Sequence, residues 1–336
     1  MKITIAQRYR PYSHDNGAMC LIPRTCWAVQ AFPAMIRLQD LGSGEPAATI
    51  EIPLALHGLF REFTIQQDLE KGCVFIWGIA REGRYRLRLE ALMGKIKLSA
   101  EKTPDGGIAI ADRCLQKNES ISWDIPGPFR SVEAIERLSL GSHRSQDWAD
   151  VWRRMDLSDI LPILFHLSQW TPIAAMDPEQ PIARLWEEFL RAGFGSILVP
   201  RLQDPEYQGL LSTDAVPANA SPCALISYAG EQIRKRFVEQ DQNCVSILPS
   251  CEFTFGRFTD IQLPGIGTVD LEWAKGTIQC MSLRASVHVK VCWRFSPSIQ
   301  SYRLRENLHG KGIKKSVDVE LELEAGKNYY LDRFQK

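Results

Sequence analysis

Trp148, Trp152, Trp170 and Trp186 are the side chains in this sequence best suited to hold a ligand. An indole offers a flat, largely apolar face, and the C–H side of a sugar ring can stack on it. The four fall in a stretch with little other aromatic content. Trp170 is the foremost of them because it ends an apolar helical run just before Thr171-Pro172. Core packing at helical spacing is the competing account of all four. Hydrolysis of a glycoside with inversion needs two carboxyls about 6.5–9.5 Å apart. The same stretch offers Asp147, Asp150, Glu187, Glu188, Asp204 and Glu206. Glu187 and Glu188 are adjacent, so on a helix they point about 100° apart and read as a solvated polar side. Asp147 directly precedes a helical pattern and reads as its N-cap. His14 lies between Ser13 and Asp15, but three neighbours in sequence rarely converge as a triad, and a side-chain-stabilised turn is the simpler reading. His143 and Arg144 are either an anion site at a helix start or ordinary loop residues. No pair of carboxylates has a spacing that marks it as catalytic, so the residues leave open whether the chain is an enzyme.

The bulk composition excludes several classes. The chain has 336 residues, with 40 basic and 40 acidic side chains and a net charge of zero. No global field favours nucleic acid or an anionic membrane. The short basic run Arg234-Lys235-Arg236 is balanced by Glu231 and Glu239. No apolar run approaches the roughly 18 residues that span a bilayer, and the first residues lack the long apolar stretch of an export signal. The nine cysteines are an odd number with no CxxC spacing, which predicts reduced thiols and a cytoplasmic location. The six histidines are scattered, so neither a metal site nor a cofactor is predicted.

These residues must be positioned by three successive parts. From residue 2 to about 125 the pattern is β: alternation at 2–7, then Trp27–Phe32, Phe63–Ile65, Cys73–Trp77, Tyr85–Leu89 and Lys95–Leu98, with glycines between the runs and a hairpin turn at Pro104-Asp105-Gly106-Gly107. Short strands in such regular succession predict an antiparallel sandwich. After Pro126-Gly127-Pro128 the period turns helical. One helix carries Trp148, Val151, Trp152 and Met155. A second carries Leu161, Leu164, Phe165 and Ser168, with Pro162 in its first turn. A third runs from Pro181 to about Gly193, and a fourth carries Ile226, Ile233 and Phe237 and ends near Gln240. Residues 201–222 read as a loop. From Cys244 the β pattern returns, with strict alternation in Thr268–Trp273, Val287–Val291 and Val317–Leu323.

Within this last part, Ile247-Leu248-Pro249 leads to Gly265-Ile266-Gly267-Thr268-Val269-Asp270-Leu271-Glu272-Trp273-Ala274-Lys275-Gly276-Thr277-Ile278, and Leu323-Glu324-Ala325-Gly326-Lys327-Asn328-Tyr329 follows near the end. The stretch from about 247 to 330 resembles the C-terminal β domain of glycoside hydrolase family 95, the inverting α-L-fucosidase type. The "VDLEW..G" hairpin carries the likeness, over about a quarter of the chain. The resemblance implies carbohydrate chemistry. That family holds its acid and base in a twelve-helix (α/α)6 barrel, and the four or five helices between residues 129 and 240 cannot supply one, so no catalytic residue carries over.

The expected fold is therefore α+β: a β-sandwich domain over 1–125, a helical segment over 126–243 that bridges, and a β domain over 244–336. The expected function is that of a carbohydrate-associated protein without its own hydrolase barrel, binding glycan through the tryptophans. Two readings stand beside it: a scaffold that presents the helical segment to a protein partner, and a small-molecule enzyme with a site where helices meet sheet.

Overall fold

The computed structural model describes residues 2–42, 48–141, 147, 156–172, 222–250 and 252–335. Its strands, in chain order, are β1 (Tyr12–Ser13), β2 (Ala18–Leu21), β3 (Trp27–Phe32), β4 (Met35–Asp40), β5 (Thr49–Pro53), β6 (Arg61–Asp68), β7 (Cys73–Ala80), β8 (Gly83–Leu92), β9 (Lys95–Lys102), β10 (Ile108–Ile110), β11 (Arg113–Leu115), β12 (Ser120–Asp124), β13 (Arg137–Ser139), β14 (Val238–Asp241), β15 (Cys244–Ile247), β16 (Phe255–Leu263), β17 (Gly267–Ala274), β18 (Thr277–Ala285), β19 (Val289–Arg294), β20 (Ser301–Arg305), β21 (Ile313–Ser316), β22 (Leu321–Leu323) and β23 (Asn328–Gln335). Two helices, α1 (Leu157–Trp170) and α2 (Pro222–Phe237), lie between β13 and β14 among the described residues. Neither is long and apolar enough to cross a membrane.

The molecule is thus mostly antiparallel β. In the N-terminal part, β1-β6-β7-β8-β9-β12 form one sheet and β2-β3-β4-β5 another, with β10-β11 a separate ribbon. Strict alternation in β8 explains its pairing: Tyr85, Leu87, Leu89 and Ala91 are buried while Arg84, Arg86, Arg88 and Glu90 face the other way. The buried side chains of both sheets form one apolar cluster that includes Trp27, Ile36, Leu38, Ile76, Leu87 and Leu98.

The C-terminal part holds a seven-stranded sheet, β13-β16-β17-β18-β23-β20-β21, and a four-stranded sheet, β14-β15-β19-β22. In the second sheet β15 and β19 run parallel. The apolar faces of both sheets share a second cluster with α1 and α2: Leu161, Leu164, Phe165, Leu167, Ile226, Ile233 and Phe237 pack with Phe258, Leu271, Trp273, Trp293 and Leu331. Tyr9, Leu21, Cys26 and Leu69 of the N-terminal part join this cluster.

Several sequence expectations are corrected by the coordinates. Residues 2–7 alternate in burial, with Ile3 and Ile5 inside, but they form no strand. Arginine side chains take their carbonyls in place of a ladder: Arg257 Nη1 donates to Thr4 O at 3.1 Å, Arg137 Nη1 to Ile5 O at 3.0 Å and Arg137 Nη2 to Gln7 O at 2.6 Å. The Pro104–Gly107 turn forms, with Gly107 N–H donating to Pro104 O, but it joins β9 to β10, which lie in different sheets. Arg137–Ser139, inside the segment read as helical, is a strand paired with β16. Pro162 is not in the first turn of α1, because Asp156 caps that helix earlier, its carboxylate accepting the Ser158 N–H at 2.9 Å. Helix α2 stops at Phe237, where β14 begins at once. Val287–Val291 yields a strand only from Val289. Val317–Leu323 is split: a turn occupies 317–320, and Val319 is 53% exposed. The helices expected around Trp148–Met155 and Pro181–Gly193 lie outside the described residues.

Candidate functional site: a polar groove on the seven-stranded sheet

The outer face of the seven-stranded sheet follows from the alternation of its strands. On β17, Val269, Leu271 and Trp273 point into the core, so Thr268, Asp270 and Glu272 point out. Strand register extends each of these into a row. Glu272 pairs with Arg257 on one side and Cys280 on the other, Cys280 pairs with Asp332, and Asp332 with Arg303. The next row is Asp270, Ser282, Tyr330 and Arg305. A third is Gln262, Thr268, Arg284 and Asn328.

This face is concave. Two cavities of about 540 and 580 Å³ lie on it, and Ser282 and Tyr330 line both. The N-terminal segment borders them, Ile3 at the first and Lys2 at the second. Two bulges shape the rims. Asp260 and Arg333 are non-glycine residues in the left-handed region, with φ of 58° and 50°. Asp260 lies where β16 slips register against β17, and Arg333 where β23 slips against β20. Such strained bulges re-aim side chains and cluster at ligand sites.

The side chains are held before any ligand arrives. Arg303 Nε and Nη2 both donate to Asp332 at 2.7 Å, and Arg305 Nη2 donates to the same carboxylate at 2.6 Å. The hydrogen bond from Arg303 holds the Asp332 carboxyl below the usual range. Asp270 accepts from Ser282 Oγ and from the Asp260 N–H, both at 2.9 Å. Glu272 accepts from Arg257 Nε and Nη2 at 3.1 and 3.0 Å and from the Cys280 thiol at 3.6 Å. Burial, with Glu272 beside it, pushes the Cys280 thiol up to about 12, so it stays protonated and is no nucleophile. Each carboxylate is engaged as an acceptor. The arrangement supports recognition of a polar ligand by hydrogen bonding, with Tyr330 as the ring against which it would rest.

A smaller cavity, about 270 Å³, lies where α1 and α2 meet the sheet. Its polar centre is a closed network. Glu136 accepts from Arg234 Nε at 2.9 Å and from the Gln262 N–H at 2.8 Å, and the Gln169 amide bonds both the N–H and the carbonyl of Glu136. These groups tie helix to sheet and leave little capacity for a ligand.

Of the tryptophans read as binding residues, only Trp170 is described; Trp148, Trp152 and Trp186 lie outside the described residues. Trp170 is 3% exposed. Its indole N–H donates to Leu69 O at 2.7 Å, the Arg24 guanidinium stacks over its ring at 5.3 Å, and its ring edge packs on Gly72, where a Cβ would come within 2.6 Å. It offers no open face to a sugar, because it closes the junction between the N-terminal part and α1. Asp147 bridges to Tyr12; Asp150, Glu187, Glu188, Asp204 and Glu206 lie outside the described residues, as do His143 and Arg144. His14 hydrogen-bonds Phe63 O and Thr64 Oγ1, and Ser13 Oγ accepts from the Asp15 N–H, which makes a turn of the Ser13-His14-Asp15 sequence. The sequence reading missed Asp270, Ser282, Tyr330 and Arg303. Their signal was present as the polar half of each alternating strand, but not the register that aligns them. No family model and no curated protein matches this chain.

Proposed function

We propose that the protein binds a short saccharide, without turning it over, in the groove on the outer face of the seven-stranded sheet. The observation that carries this reading is the pair of adjoining cavities that share Ser282 and Tyr330. Preordered acceptors and donors converge there on one half-buried ring. A hydroxyl-rich ligand satisfies such a surface by many directed hydrogen bonds, and a ring offers its C–H face a stacking partner. The resemblance of residues 247–330 to the C-terminal β domain of glycoside hydrolase family 95 points the same way. In this reading the groove lies on the outside of a sandwich-like domain of a cytoplasmic protein.

A glycan array probed with the intact chain, followed by calorimetry on any hit, tests the proposal. Tyr330→Ala and Asp270→Asn each lower affinity about tenfold, or about 1.4 kcal/mol, with the fold retained. Trp170→Phe lowers stability and leaves affinity unchanged. Binding that survives in Tyr330→Ala but disappears in Trp170→Phe would refute the groove.

A further inference from the structure

Cys244 and Cys292 face each other across the parallel pair β15 and β19. Both are half-buried thiols, and the Cys292 N–H donates to Asn243 O at 2.9 Å, fixing the register at this point. They sit on the solvent side of the four-stranded sheet, because Val245, Ile247, Val291 and Trp293 fill the core side. Asp241 lies beside Cys244 on β14, Glu320 acts on Cys292 from the other side, and Ser246 and Arg294 form the next pair along.

Facing residues on neighbouring strands are separated by about 4.8 Å, and their side chains project in parallel. The two thiols are close enough to hydrogen-bond each other, so both sulfurs can turn toward one point between the strands. An ion can seat between the sulfurs with a small parting of the side chains: two metal–thiolate bonds of about 2.3 Å, the zinc–sulfur length, in line span about 4.6 Å. Thiolate pairs select soft metals, chiefly Cu(I) and zinc. Zinc requires four ligands, and among the described residues no group of three or more His, Cys, Asp or Glu converges on one point. We propose that Cys244 and Cys292 form a two-coordinate site for a monovalent soft cation, Cu(I), on the outer face of the four-stranded sheet.

Binding replaces two S–H protons with one cation: Cu⁺ and two thiols give a bis-thiolate complex of charge −1 and two released protons, with no change of oxidation state. Arg294, one pair along the strands, compensates the charge; Asp241 and Glu320 oppose it. Both cysteines ligate as thiolates, so affinity rises with pH as deprotonation becomes easier. The site is separate from the groove and does not depend on its reading.

The test is anaerobic titration of the reduced, intact chain with Cu(I) against a chromophoric Cu(I) chelator, with alkylation and mass spectrometry to locate protected thiols. The expected result is one Cu(I) equivalent retained per chain, with Cys244 and Cys292 alone protected from alkylation. Cys244→Ser and Cys292→Ser each lose that one equivalent, while Cys114→Ser retains it. Because protection is read on the unaltered chain, a variant that fails to fold does not spoil the test. Protection of Cys251, or of Cys26 and Cys223, in place of this pair would overturn the proposal. So would Cu(I) retention unchanged in both serine variants, or a chain that retains none.

Discussion

His166 shows how much one residue can set the conditions under which this protein is stable. It is 1% exposed inside α1, with its ring centroid 4.1 Å from that of Tyr9. Its Nδ1 lies 2.7 Å from Pro162 O. A carbonyl only accepts, so Nδ1 carries the hydrogen and Nε2 is left with a lone pair, which has no hydrogen-bond partner among the described residues. Burial, helped by nearby Arg137 and opposed only by the Pro162 carbonyl, pushes its pKa from the ordinary 6.5 down to about 3. The neutral ring is therefore the folded form. The unfolded chain binds a proton below pH 6.5 and the folded chain does so only near 3, so stability is full above 6.5 and falls as pH drops between those values. At one unit per about 1.4 kcal/mol, the loss by pH 5 is about 2 kcal/mol. Unfolding free energies from urea titrations at pH 8 and pH 5 should differ by that amount in the native chain. The difference should shrink in His166→Leu, whatever that variant's stability at pH 8. An unchanged pH dependence in the variant would show that other groups set it. Nothing in the sequence around His166 distinguishes it from a surface histidine except its place on an apolar helical run. Trp170 carried the same kind of signal, and its ambiguity was resolved in favour of packing.

At the scale of elements, alternation marked β8, β9, β17 and, from Val289, β19, because it reports which side of a strand faces apolar neighbours. Alternation does not report a hydrogen-bond partner. Residues 2–7 show this: Ile3 and Ile5 bury as a strand's would, yet the carbonyls go to Arg137 and Arg257. Val317–Leu323 shows the reverse, where a perfect alternating pattern gives way to a turn. The groove was illegible for the same reason. Its rows cross β16, β17, β18, β23 and β20, and β23 pairs with β18 although they are far apart in sequence. The N-terminal segment makes a prediction of its own. Arg137 holds Ile5 O, Gln7 O and Glu70 at 2.6–3.0 Å. Hydrogen bonds to a charged donor each contribute about 1.5–3 kcal/mol. Arg137→Met should destabilise the protein by about 2–3 kcal/mol and release the segment locally. Proteolytic cleavage within residues 2–8 should then speed up at least tenfold, with β7 and β8 unaffected. Uniform acceleration everywhere would mean that Arg137 supports the whole fold and not this segment.

At the scale of the molecule, the helices have no core of their own. Leu161, Leu164, Phe165 and Leu167 of α1 and Ile226, Ile233 and Phe237 of α2 are buried in one cluster with the C-terminal strands. Phe165 and Phe237 meet Phe258 of β16 edge to face, with centroids 5.3 and 6.1 Å apart. Trp170 reaches across to Leu69 in the N-terminal part. The strand β13, between the two β parts in sequence, is a member of the seven-stranded sheet. Helices of 14 and 16 residues are marginal alone in water, and their stability comes from burying an apolar face. Each fully buried leucine, isoleucine or phenylalanine contributes about 1.5–3 kcal/mol relative to exposure, and the seven here share their cluster with Phe258, Leu271, Trp273, Trp293 and Leu331, all beyond residue 243. A fragment of residues 129–243 keeps α1, α2 and β13 but loses the C-terminal strands that complete their cluster. It should show weak helicity by circular dichroism and no cooperative thermal transition. The intact chain should melt with the helical signal and the near-ultraviolet signal of Trp170 and Trp273 lost together. A cooperative melt of the isolated fragment would mean that the helices carry a core of their own, and the packing of α1 and α2 against the C-terminal strands would then be a docking of preformed parts.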